Sequence, residues 1–476
     1  MKKVLLMSLL CLWGVGMQGA DTSILDFGAH QNSADNTKAI QAAIDSCALT
    51  GGGTVHIPSG TYLTSTIFLK SNVHLYLHGG SILKGVTDPK AYQGKAVVVG
   101  ENIRNASVRG EGCIDGQGNH QNFQFGDDKG RRPHVILFER CQNVQVKDVF
   151  LYNSASWTLR CSNSDGIRIN SIKIYSHGNH NCDGIDINSR NVVISDCIID
   201  CDDDGICFKT DVEHVTVSNC VISSNCNGIK FGTGSFNAFR NISVSNCVIR
   251  KASENNIRTW SKMLRGISAD TTVISGIALE VVDGGIMDRV VINNISMQDI
   301  QTPIFIRLGN RRGNGVLKNV TISNIVAENE SLIPSSITGI PGHYVENVTL
   351  RDITFTYTGG ADEKDASIVV PEKISEYPEN RMFGPVLPAY GLYVRHVKNL
   401  TIENIQCRVR KPDYRPAFIF DDVHNASLNN FQADVSLGKS PIIRIDNSSD
   451  ILLSRFRATD NVPLFLKVNG ADSQRI

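Results

Sequence analysis

This sequence predicts an all-β protein wound as a parallel β-helix. Three observations carry that reading: a seven-residue phrase that recurs eleven times, apolar alternation of period two inside each copy, and no helical periodicity between copies. The phrase runs polar-apolar-x-apolar-x-Asn/Asp-apolar, as in NVQVKDV from Asn143, HVTVSNC from His214, NVTISNI from Asn319 and NLTIENI from Asn399. Its second positions are Val144, Ile167, Val192, Val215, Ile242, Val290, Val320, Val348, Leu400, Ala426 and Ile451, giving steps of 23, 25, 23, 27, 48, 30, 28, 52, 26 and 25 residues. Strands at that spacing form a solenoid whose successive coils pair in parallel about 4.8 Å apart. The two long steps are expected to hide either a degenerate coil or a loop.

The elements follow in chain order. Residues 1–20, MKKVLLMSLLCLWGVGMQGA, place two lysines before an apolar run from Val4 to Trp13 and end on small residues, the layout of a secretory signal peptide cleaved near Ala20. That run is too short to span a membrane, so an exported protein without a membrane span is expected, in a periplasm or outside the cell. Cys11 offers a lipid-anchor position, but Ser8-Leu9-Leu10 before it make a poor lipobox, and no anchor is expected. From Asp35, DNTKAIQAAIDSCA spaces Ile40, Ala43, Ile44 and Cys47 as one face of a helix, with Asn36 or Thr37 as N-cap, and this helix is expected to cap the solenoid. The β-helix domain fills 21–476. Asparagines near the end of each phrase suit left-handed bends and corner ladders. The stretch 359–388 breaks the period and reads as a long ordered loop.

Composition narrows the function. Lys+Arg and Asp+Glu are 47 each and the pI is about 7.2, which argues against a nucleic-acid binder and against bulk attraction to anionic membranes. Cys11 aside, twelve cysteines remain; Cys197, Cys220 and Cys247 share one place in the phrase and are read as inward-packing thiols, not disulfides or zinc ligands.

A second strand follows about a dozen residues after the phrase. Four successive copies align as Asp183-Gly-Ile-Asp186, Asp204-Gly-Ile-Cys207, Asn227-Gly-Ile-Lys230 and Asn255-Asn-Ile-Arg258. Alternation sends the isoleucines inward and Asp186, Cys207, Lys230 and Arg258 outward. Asp183 then stacks under Asp204, beside Asp203 and Asp202, and mutual repulsion of carboxylates raises the pKa of at least one. One protonated and one ionised carboxyl is the equipment for glycoside hydrolysis. Lys209, Lys230 and Arg258 on the same face suit a sugar that carries a carboxylate. Two other readings stay open: Asp-Gly is also a turn signal, and clustered Asp oxygens are hard ligands for calcium, which would allow lyase chemistry.

At these residues the sequence resembles glycoside hydrolase family 28, the polygalacturonases and their relatives. The resemblance extends through LDFGA at Leu25, GGGTVHIPSGTY at Gly51, IDGQG at Ile114 and NSASWT at Asn153. It implies a right-handed β-helix that inverts the anomeric centre, with no cofactor or metal. The family's Asn-Thr-Asp motif is matched by Asn181-Cys182-Asp183 and its paired acids by Asp203-Asp204. By that resemblance Asp203 is the general acid, while Asp183 and Asp204 hold the water. The Gly-His-Gly motif appears as Cys226-Asn227-Gly228 and Arg-Ile-Lys as Asn256-Ile257-Arg258. The missing histidine and arginine point away from plain homogalacturonan and toward a decorated pectic substrate such as rhamnogalacturonan, or one attacked from a chain end. His177 or His180 is a candidate replacement imidazole. The expected substrate-binding set is therefore Asn181, His180, Lys209, Asn227, Lys230 and Arg258, in a protein expected to be a monomer. The competing classes are a calcium-dependent pectic lyase and a non-catalytic, polysaccharide-binding β-helix.

Overall fold

The computed structural model describes residues 21–123, 132–254, 272–458 and 462–476. The expected leader with Cys11, and residues 255–260 with Arg258, lie outside the described residues. Strand follows strand in one parallel sheet that winds through the whole described chain.

The phrase column stacks as its alternation requires. Val144 pairs with Ile167, Ile167 with Val192, and Val192 with Val215. The same register runs without a gap through Ile242, Val290, Val320, Val348, Leu400 and Ala426 to Ile451. All eleven side chains are buried, and burial of one such valine or isoleucine contributes about 1.5–3 kcal/mol. The direct pairings Ile242–Val290 and Val348–Leu400 show that both long steps are single coils with an insertion. The second insertion, the loop 360–391, separates the strands Val345–Gly359 and Leu392–Lys411.

The corners are asparagine ladders. Asn319, Asn347, Asn399 and Asn425 all adopt left-handed φ of 56–58°. Each of the last three donates its Nδ2 to the Oδ1 of the one before at 2.8 Å. Asn tolerates this backbone because its short amide finds a local partner. The helix Thr37–Leu49 buries Ile40, Ala43, Ile44 and Cys47 and packs over the first coils. Asn36 is its N-cap residue but makes no side-chain cap; Asp35 accepts from the Thr37 amide instead, at 2.8 Å. The cysteines of the phrase are inward, and all twelve cysteines among the described residues are unbridged.

A glycine column decides how tightly the coils close where the acids sit. A Cβ on Gly184 would meet the Gly205 carbonyl oxygen at 2.5 Å, one on Gly205 the Gly228 oxygen at 2.7 Å, and one on Gly228 the Gly276 oxygen at 2.9 Å. Only a residue without Cβ fits each position. Gly205→Ala is therefore expected to cost about 1–3 kcal/mol of stability, seen as a lower urea midpoint. Gly79→Ala, where a Cβ meets nothing within 4 Å, should leave the midpoint unchanged.

Candidate active site

The site grows from the turns that precede three stacked strands. Ile185, Ile206, Ile229 and Ile277 form one inward column, and Asp186, Cys207, Lys230 and Ala278 the adjacent outward one. The fourth place corrects the sequence alignment: Ala278, not Arg258, stands above Lys230. The reason is the glycine contact. Ser275-Gly276-Ile277 continues the x-Gly-Ile pattern, and a Cβ at its middle place would meet Met297 Sδ at 2.5 Å and the Pro303 carbonyl oxygen at 2.9 Å, so the place takes a glycine and not an asparagine such as Asn256.

Just before these strands, hydrogen bonds from the Gly184 amide to the Asp204 carbonyl (2.9 Å) and from the Gly205 amide to the Asn227 carbonyl (2.8 Å) fix Asp183, Asp204 and Asn227 in a vertical row. Asp183, Asp203 and Asp204 face a cavity of about 450 Å³ that Asn181, His180, Lys209 and Lys230 also line. Seven expected site residues thus converge on one cavity. Asn227 does not line it: its Nδ2 donates to Asp204 Oδ1 at 2.7 Å, so it orients a carboxylate. His177 is buried with Nε2 2.9 Å from Asp200 Oδ1, away from the acids. Asp202 is buried and accepts from Asn225 Nδ2 at 3.1 Å.

The charges interlock. Lys209 Nζ lies 3.3 Å from Asp183 Oδ2 and 3.2 Å from Asp186 Oδ1, while Lys230 Nζ lies 3.4 Å from Asp204 Oδ2. Burial raises Asp183 well above the usual carboxylate range, and the charges of Asp186 and Asp203 add to the rise against Lys209. Burial opposes ionisation of Asp204 too, but Lys230, Lys209 and the Asn227 amide outweigh it and hold Asp204 low. Two neighbouring carboxyls are thereby split, one inclined to keep a proton and one ionised. Asp203 is held in place by the Asp204 amide at 2.9 Å and Asn181 Nδ2 at 3.5 Å.

Several functional positions escaped the sequence reading. Arg132 donates to Asn181 Oδ1 at 3.0 Å and to the His180 carbonyl, fixing both cavity residues. Trp157 lines the cavity with Lys209 Nζ 5.1 Å from its ring centre. Tyr377 and Glu379 reach the cavity from the loop after Gly359, and nothing in their local sequence marks them. Glu280, one coil further, is buried with Oε2 3.4 Å from Thr233 Oγ1.

Among the described residues two clusters have metal-like geometry: Asp183, Asp186 and Cys207, and Asp203, Asp204 and Cys226, each with ligand atoms within 4.8 Å of one another. Neither suits calcium, which takes six to eight oxygens. Each has a thiol as third member, and a lysine ammonium already sits within 3.4 Å of both carboxylates of the first and of Asp204 in the second.

The sequence profile of glycosyl hydrolases family 28 matches residues 47–375. The chain belongs to that family. A "Probable polygalacturonase" of Vitis vinifera is 29% identical over 223 residues, 41% of this chain and 45% of that protein. An exopolygalacturonase of Platanus acerifolia is 22% identical over 371 residues, 73% and 93% of the two chains. The chain spans about half the length of the curated relatives it matches first. Among solved structures, the exopolygalacturonase of Thermotoga maritima superposes with a TM-score of 0.64 at 19% identity, covering 82% of this chain and 92% of the other. PfbA, a surface adhesin of Streptococcus pneumoniae, superposes at 0.57 and 16%, covering 83% and 93%. At such identities these likenesses show the fold alone, a right-handed parallel β-helix.

Glu280 provides a test of the buried charge network. Burial pushes its carboxyl up to about 8 from an ordinary 4.5, against the pull of Lys230. The native state thus holds a proton that the unfolded chain releases, so this group erodes stability as pH rises from 4.5 to about 8 and no further above that. Glu280→Gln removes the erosion. Its stability relative to wild type should climb through that window by up to about 1.4 kcal/mol per pH unit, measured by urea unfolding at pH 5, 6.5 and 8.

Proposed function

We propose that the protein is an exported, inverting glycoside hydrolase acting on a pectic, uronic-acid-containing chain. The observation that carries this reading is the single cavity in which Asp183, Asp203 and Asp204 meet two lysines. Asp203 protonates the departing glycosidic oxygen, as the family resemblance implies. Asp204, held ionised by Lys230 and Asn227, takes a proton from the water that attacks the anomeric carbon from the opposite face. Asp183 shares that water. Lys209 and Lys230 offer ammonium protons beyond those used on the acids, and a uronate carboxylate is the sugar group that accepts them. His180, on the cavity wall, is the candidate imidazole in place of the family histidine. The absent Gly-His-Gly and Arg-Ile-Lys residues favour a decorated or chain-end substrate over smooth homogalacturonan.

One observation favours a second assignment within the same chemistry: Asp183 is the carboxyl whose proton affinity is raised, which suits it to be the acid. Leaving-group chemistry separates the two. Asp203→Asn should lower kcat on pectic oligosaccharides by on the order of 10²–10⁴ and regain turnover on a nitrophenyl glycoside, whose leaving group needs no proton. If Asp183→Asn alone is rescued in this way, the roles exchange. Proton NMR of the first product should show an inverted anomer for the wild type. Retention would mean that one Asp is a nucleophile. An ultraviolet-absorbing, calcium-dependent product would install the lyase reading, and binding without any product would install the polysaccharide-binding one.

The lysines predict the charge of the substrate. Replacing the uronate by its methyl ester removes charge-assisted hydrogen bonds worth about 1.5–3 kcal/mol, so kcat/KM should fall roughly 10- to 150-fold. Equal rates on acid and ester would assign a neutral sugar such as rhamnose to that place.

A further inference from the structure

The loop after Gly359 enters the cavity, and its attachment is unusual. Arg307 and Arg395 occupy one outward column, two coils apart through Thr338, and both are buried. Arg395 donates to the carbonyls of Val370 at 2.8 Å and Pro371 at 2.9 Å. Arg307 donates to those of Glu372 and Lys373, both at 2.9 Å. Four consecutive carbonyls are thus gripped by two guanidinium groups, and the Asn310 amide takes the next, Ile374, at 2.8 Å. On the far side, Asn380 Nδ2 donates to the Ile274 carbonyl at 2.8 Å and Thr302 Oγ1 at 3.0 Å. Phe383 lies under both arginines, at 5.3 and 6.0 Å. The arch between these two clamps is short, and it carries Tyr377 and Glu379 into the cavity.

Tyr377 mirrors Trp157. Its ring centre is 5.7 Å from Lys230 Nζ and its hydroxyl accepts from Thr233 Oγ1 at 2.9 Å. Trp157 stands over Lys209, the partner of Asp183; Tyr377 stands over Lys230, the partner of Asp204. The reacting carboxyls therefore lie between two aromatic faces, one from the repeat and one from the loop.

We propose that this loop is a fixed specificity wall, in which Arg307 and Arg395 are positioning residues that hold Tyr377 as the platform for the sugar on the Asp204 side of the scissile bond. The assignment rests on the glycosidase reading above. Arg395 meets the Val370 and Pro371 carbonyls and, at 3.1 Å, the Glu372 carboxylate together; a lysine, a point charge on a flexible stem, would keep the carboxylate but not both carbonyls, so the grip on the backbone depends on arginine geometry. A wall ordered in the free protein spares the substrate the entropy of ordering it.

The test uses the full-length protein and galacturonate tri- and pentasaccharides. Tyr377→Ala should raise KM about tenfold with kcat little changed, and Tyr377→Phe, which keeps the ring, should stay within about twofold of wild type. Arg395→Lys should raise KM by a similar factor, and that increase should vanish in a Tyr377→Ala background, because the arginine acts through the tyrosine. Arg307→Lys repeats the cycle if Arg395→Lys does not fold. Additive losses, or a tyrosine variant that binds as well as wild type, would overturn the proposal. A wild-type protein that cleaves no pectic oligosaccharide would remove the hydrolase reading instead. Hydrogen exchange then decides the wall: Arg395→Lys must deprotect the amides of 374–379, and unchanged protection overturns it.

Discussion

Parallel backbone pairing between coils is the interaction on which everything else in this molecule depends. Each strand residue is bonded to its equivalents above and below, so the rise per coil is set near 4.8 Å whatever the side chains are. Residues that share a register position are then forced into a column. In the core this compels like to stack on like, and valines and isoleucines suit it. On the outside the same compulsion places Asp183, Asp204 and Asn227 one above another, a distance at which free carboxylates in solution would not remain. The glycines of the same turns make the approach possible, because each passes its neighbour's carbonyl at a separation that excludes a Cβ. Active-site geometry here is a by-product of solenoid geometry.

That compression creates an electrostatic problem whose solution is chemically useful. Three acids in one half-buried cleft cannot all ionise without compensation. Lys209 pairs directly with both Asp183 and Asp186, whereas Asp204 has the direct partners Lys230 and Asn227 and the more distant pull of Lys209 as well. One ammonium shared by two carboxylates leaves Asp183 under-compensated; one ammonium plus an amide leaves Asp204 secure. The inequality of acid and base therefore follows from how two lysines are distributed over consecutive coils. Lys230 is itself held charged, since Asp204 foremost outweighs the burial that opposes its charge.

How much of this was legible in the sequence follows from the same periodicity. The phrase positions from Val144 to Ile451 were readable because each must satisfy the same inward environment, and the acids were readable because Asp-Gly-Ile recurs at the coil spacing. The alignment failed at the coil above Lys230. There an insertion displaces the true partner to Ser275-Gly276-Ile277-Ala278, and the segment at the expected offset, Asn255-Asn256-Ile257-Arg258, offers a cation but lacks the glycine that the packing demands. A stricter reading of that glycine would have found Ala278. Trp157 and Arg132 were less visible because each comes from a turn at the edge of its coil, where the repeat imposes no pattern. Tyr377 was invisible on any local argument, since 144 residues separate it from Thr233, its hydrogen-bond partner.

The division between legible and illegible residues is also a division of labour. What repeats must obey the solenoid, so it can supply only the chemistry that stacking permits: rows of acids, lysines and asparagines at fixed vertical intervals. What interrupts the repeat is free of that rule and can approach the cleft from any direction, provided something anchors it. Here the anchor is again the column, because Arg307 and Arg395 share one register position and grip four consecutive carbonyls of the loop. A loop held by its backbone can vary its side chains without losing its course. Different residues at positions 377 and 379 would therefore present a different wall to the same acids, and a solenoid of this kind can change the sugar it accepts while leaving the carboxylate column untouched.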